Sequence, residues 1–154
     1  MANKRLGAVA SVGPGWAHVI DSTYQVKKGD AGKTFFIDAD STGSYIISLP
    51  QLSTKIAGWS ATFIVRAIGG SNLLEILGYG VPTGGGSGTD ENSCNILQFA
   101  SREAATGVTS SQDGIKFDFT NAQTTDKVEV CTDGTSWFMY AFMSDDNHIA
   151  VVSS

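Results

Sequence analysis

DKVEVCTDGTSWFMYAFM, Asp126–Met143, places two apolar-containing runs on either side of Asp133–Gly134. Aspartate and glycine accept the left-handed backbone that a tight reversal needs, so the stretch predicts a β-hairpin. Along its outgoing strand the side chains alternate. Trp137, Met139, Ala141 and Met143 take one side, and Phe138, Tyr140 and Phe142 take the other. A single core accounts for one of these apolar sides. The second must meet another sheet, the N-terminal arm or another subunit.

DGIKFDFT, residues 113–120, shows the opposite pattern: Ile115, Phe117 and Phe119 share a core face, while Lys116 and Asp118 form a wet reverse. GKTFFID, residues 32–38, is a short apolar run bounded by polar turns, as for a buried strand. In SYIISLP, residues 44–50, Tyr45, Ile47 and Leu49 oppose Ser44 and Ser48, and Pro50 removes the donor that a continuing strand would need. GWSATFIVRAIGG, residues 58–70, sets Ala61, Phe63 and Val65 against Ile64 and Ile68 and predicts a strand crossing the core. LLEIL, residues 73–77, reads as the next strand, with Gly69 and Gly70 available for a tight reversal; a short helix is the competing reading.

GYGVPTGGGSGTDENS, residues 78–93, is a long glycine-rich loop without apolar periodicity. NILQFA, residues 95–100, restores strand character, residues 101–112 suggest one helical turn before a glycine-containing connection, and HIAVV, residues 148–152, supplies a last strand. Short strands punctuated by glycine, without βαβ spacing, predict an all-β fold: an antiparallel β-sandwich, a jelly roll or a small β-barrel. At 154 residues the chain suits one domain, 16–154, preceded by an arm or edge extension over 1–15.

A net charge of −5 offers no broad positive footprint, so no direct nucleic-acid partner is expected. Lys27, Lys28 and Lys33 read as solvated lysines near one turn. KKGDAGKT, residues 27–34, lacks the first glycine of a phosphate-binding loop, since Lys27 stands there, and it leads into a strand. DADSTG, residues 38–43, begins like a calcium loop, but its twelfth position is Leu49 where glutamate is required. Asp145, Asp146 and Asn147 read as a solvated reversal. Cys94 and Cys131 form no CxxC pair and read as small hydrophobes, with a mutual bridge as the alternative. His18 and His148 have no local nucleophile or metal-ligand spacing, and packing or edge hydrogen bonding is expected for both. No metal, cofactor or catalytic residue is nominated, and the expectation is a non-enzyme. Neither a secretory signal nor a membrane span is expected from the N-terminal stretch.

The order of GKTFFID, SYIISLP, GWSATFIV and DKVEVCTDGTSWFMYAF resembles β-rich modules of tailed-bacteriophage virion proteins, above all capsid decoration proteins and parts of tail fibres and tailspikes. The resemblance covers about residues 24–142 and rests on Leu49–Pro50, Gly58–Trp59, and Asp133–Gly134 before Trp137. It implies a non-enzymatic component, synthesised in the host cytoplasm and placed on the capsid surface of the virion. Such a protein would be a homotrimer that binds and stabilises the lattice of the major capsid protein. Phe138, Tyr140 and Phe142 are then the expected oligomer interface. The alternative is a tail-fibre, tailspike or carbohydrate-binding accessory, with Trp59 and Tyr79 as surface contacts, drawn from an aromatic set that also holds Trp16, Trp137 and Tyr24.

Overall fold

The computed structural model describes residues 17–38, 43–67, 73–81, 94–100, 107–118, 120–145 and 148–152. Among them are twelve strands: β1 (Ala17–Ile20), β2 (Tyr24–Gln25), β3 (Thr34–Asp38), β4 (Tyr45–Ser48), β5 (Ser60–Ala67), β6 (Leu73–Leu77), β7 (Cys94–Ala100), β8 (Gly107–Gln112), β9 (Gly114–Asp118), β10 (Lys127–Thr132), β11 (Trp137–Met143) and β12 (Ile149–Val152). They form a seven-stranded sheet, β1-β3-β5-β10-β11-β7-β8, and a five-stranded sheet, β12-β9-β6-β4-β2. The fold is an all-β sandwich, and its sheets do not close into a barrel.

The expectation of purely antiparallel sheets is corrected. β1, β3 and β5 run parallel in one sheet, and β2, β4 and β6 run parallel in the other. From β1 to β6 the chain crosses between sheets at every step, so its first half winds as three stacked two-strand coils. A parallel neighbour needs a long crossover, and here the strand in the opposite sheet supplies it in place of a helix. The same winding overturns the reversal assigned to Gly69 and Gly70: β5 and β6 are strands, as read, but they lie in different sheets and do not pair. Residues 107–112, placed near a helical turn in the sequence reading, are strand β8. The arm over 1–15 and residues 82–93 of the glycine-rich loop lie outside the described residues.

Alternation explains the core. Phe35 and Ile37 of β3, Ala61, Phe63 and Val65 of β5, Val128 and Val130 of β10, and the Trp137–Met143 set of β11 line the inner face of the larger sheet. Tyr45, Ile47, Leu74, Ile76, Ile115 and Phe117 meet them from the smaller one. Phe35 stacks on Phe63 with ring centroids 5.0 Å apart. Each such aliphatic or phenyl side chain contributes about 1.5–3 kcal/mol on burial. Tyr45 ties the layers together as well, its single hydroxyl hydrogen shared between the carbonyls of Ile20 (3.2 Å) and Asp38 (3.1 Å).

The β10–β11 hairpin forms as read, Val130 opposite Met139 and Thr132 opposite Trp137. Asp133 Oδ1 accepts from the backbone N–H groups of Thr135 and Ser136, both at 2.8 Å, which closes the turn. Gly134 has a φ of 94°, and a Cβ there would stand 2.9 Å from the carbonyl oxygen of Ser53. The hairpin tip is thereby seated on the segment that leads into β5.

Candidate functional site

The outer face of the seven-stranded sheet gathers what a two-layer sandwich leaves over. Register alone puts Val19, Phe36, Ile64, Lys127 and Phe142 in one row across β1, β3, β5, β10 and β11. Thr34, Thr62, Glu129 and Tyr140 form the next row, and Ser60, Cys131 and Phe138 the third. Phe36, Ile64, Phe138, Tyr140 and Phe142 are all half-buried, and Val19 is 43% exposed. These side chains stand on the outward side of the sheet and are partly shielded there.

Through the middle of this apolar surface runs a charged pair. Lys127 Nζ lies 2.7 Å from Glu129 Oε1 and 4.6 Å from the centre of the Phe142 ring. At the rim Arg66 pairs with Asp38. The arrangement is an aromatic and aliphatic face with a two-residue charged spine, chemically suited to lie against another protein surface.

Phe138, Tyr140 and Phe142 therefore fall together, as the alternation required. The sequence reading singled out neither Phe36 and Val19 nor the charged spine as members of the same face, because the parallel pairing of β1, β3 and β5 has no local signal. Trp59 is corrected. It is 4% exposed, its Nε1–H donates to the Lys28 carbonyl at 3.1 Å, and its ring meets Trp137 edge-on at 5.3 Å. The turn at Gly58 folds the side chain inward at the open end between the sheets instead of leaving it on the surface. Tyr79 is 44% exposed, in the turn after β6 and apart from that face. Trp16 lies outside the described residues.

The cysteines are both free. Cys131 is opposite Phe138 on the outer face, whereas Cys94 is opposite Trp137 and fully buried. Neighbouring positions on β11 point to opposite faces, so the sheet separates the thiols and a mutual bridge is closed off. Burial pushes the Cys94 thiol up to about 12, with the Asp113 carboxylate adding to the effect, and burial also raises Cys131.

His148 was expected to pack or to bond at an edge, and its partner is Asp126, which the sequence did not single out. His148 Nδ1 and Asp126 Oδ2 are 2.7 Å apart, and both residues are buried. Ser144 Oγ also lies 3.1 Å from Nδ1. A hydrolytic triad places the acid and the nucleophile on different ring nitrogens. Here both approach Nδ1, which suits a tie between β10, β11 and β12. The His18 side chain is outside what the structure describes.

The lysine-rich turn is organised by Asp30. Its carboxylate accepts from the Lys27 backbone N–H (2.7 Å) and pairs with Lys33 Nζ (2.6 Å). Asp38, the first residue of the calcium-like stretch, is the partner of Arg66, and residues 39–42 lie outside the described residues, as do Asp146 and Asn147. Among the described residues no group of three or more His, Cys, Asp or Glu side chains could hold a metal ion. No described helix is long and apolar enough to cross a membrane. In comparisons with known proteins, no family model and no curated sequence matches the chain.

Proposed function

We propose that the chain is a non-enzymatic virion structural protein, a capsid decoration protein that stabilises the major capsid lattice and self-associates as a closed oligomer. The observation that carries this reading is the outer face of the seven-stranded sheet, where Phe36, Ile64, Phe138, Tyr140 and Phe142 remain half-buried after the sandwich core is complete. Such a surface gains by excluding water against protein. The ordered resemblance to phage decoration modules directs the reading to a capsid surface.

Purified protein added to undecorated phage particles tests it. Saturable, periodic density on the shell is expected. Binding confined to the tail, or no shell binding at high protein concentration, overturns it. Of the two surface contacts expected for a tail-fibre or carbohydrate-binding role, Tyr79 is exposed whereas Trp59 belongs to the core, and a glycan array with the assembled protein would reveal that role.

A further inference from the structure

Resting on the reading of this sheet face as an assembly surface, we infer that two copies of the chain meet through it face to face about a two-fold axis running across the strands at Val128. The spacing of its charges carries the inference. Lys127 and Glu129 sit two residues apart on β10, on the same outward side, with Val128 between them facing the core. A second copy rotated about an axis perpendicular to the strands lays β10 on β10 in the opposite direction, so Lys127 of each copy faces Glu129 of the other. The rotation leaves every other strand over its own counterpart and exchanges the first and second rows. Phe142 then faces Tyr140, Ile64 faces Thr62, and Phe36 faces Thr34.

The competing two-fold, with its axis along the strands, sets Lys127 on Lys127 and Glu129 on Glu129. Like charges opposed in a water-excluding contact strongly disfavour it. An isologous contact needs one self-complementary patch, whereas a three-fold ring through this face needs a second, different patch to receive it. Among the described residues the other exposed large hydrophobics, Leu73 and Tyr79, make no face of comparable extent. The family resemblance points to three copies; the charge pattern of the face points to two.

The aromatic and charged elements act together. Tyr140 and Phe142 supply area with ring geometry that favours offset or edge-on packing, while the Lys127–Glu129 quartet sets direction and register. Each charge keeps a partner of opposite sign within its own chain at 2.7 Å and gains a second one from the other copy.

The test uses the full chain and its mass in solution across a dilution series, with circular dichroism and thermal unfolding to show that each variant stays folded. The wild type is expected at twice the 16.2 kDa of one chain. Lys127→Glu and Glu129→Lys each bring four like charges together and should weaken the dimer on the order of a hundredfold. The double variant Lys127→Glu/Glu129→Lys restores the alternation and should return to the two-chain mass. A folded wild type of one-chain mass overturns both this inference and the assembly role of the face. A three-chain mass overturns the two-fold while leaving the assembly role standing, and a folded double variant that stays monomeric overturns the charge register. A two-chain protein that does not bind shells overturns the capsid role alone.

Discussion

Asp126 and His148, 22 residues apart in the chain, meet at 2.7 Å where β10, β11 and β12 converge. The same carboxylate also accepts the backbone N–H of Gln123 (2.7 Å) and of Ser144 (2.9 Å). One buried side chain thus holds the turn before β10, the exit of β11 in the larger sheet and the entry of β12 in the smaller. Asp126→Ala should destabilise the fold by about 3 kcal/mol, because it removes the acceptor of two part-buried peptide donors and the partner of a buried imidazole. Asp126→Asn, which keeps an acceptor oxygen, should cost less. Urea unfolding curves for the two variants give the comparison, and equal losses would mean that the hydrogen bonds do not set the cost.

Asp30 gives the fold a pH dependence of known sign. Burial alone would raise its carboxyl, but Lys33, the Lys27 backbone N–H and the Tyr24 hydroxyl outweigh this and hold it below its ordinary 3.8. Its contribution to stability is therefore fully present above that ordinary value and is lost as pH falls through the lower folded one. Wild type should exceed Asp30→Asn in stability near neutrality, and the gap should close at the acid end. Paired denaturation series across that range test the sign; a gap that widens on acidification would refute it.

Trp59 and Tyr79 should separate cleanly. Trp59→Ala removes an indole from between Lys28 and Trp137 and is expected to cost about 3–5 kcal/mol. Tyr79→Ala, at an exposed turn, should cost clearly less than Trp59→Ala. Thermal unfolding of both variants is the check.

Gly114 of β9 pairs with Leu77 of β6. A Cβ there would be 2.1 Å from the carbonyl oxygen of Ile76, and neither backbone can yield without breaking the Leu77–Gly114 register. Gly114→Ala should cost about 3 kcal/mol, at the upper end of ordinary overpacking. Hydrogen exchange should show protection lost first at β9 and β12, the strands on the far side of the clash; uniform loss across both sheets would argue against a local origin.

Period-two alternation made much of the fold legible in advance. It marked the inner and outer sides of β11, the core sides of β4 and β9, and the hairpin at Asp133–Gly134, because each depends on residues within a few positions of one another. LLEIL was correctly a strand, and its partners were not legible: Glu75 sits among Ile46 and Lys116 only because β6 pairs with β4 and β9. Trp59 failed as a surface residue for a related reason, since a turn position says nothing about which way the chain folds over it.

By itself, then, the sequence determined that the chain is β-rich, where most strands run, and that β11 is apolar on both sides. Only tertiary structure decided that the first six strands alternate between two sheets, that Asp126 serves His148, and that Phe36 and Ile64 lie in the same row as Lys127 and Phe142. Local alternation specifies which side of a strand is apolar, whereas pairing partners and register come from long-range burial summed over both layers, which no short window of sequence contains.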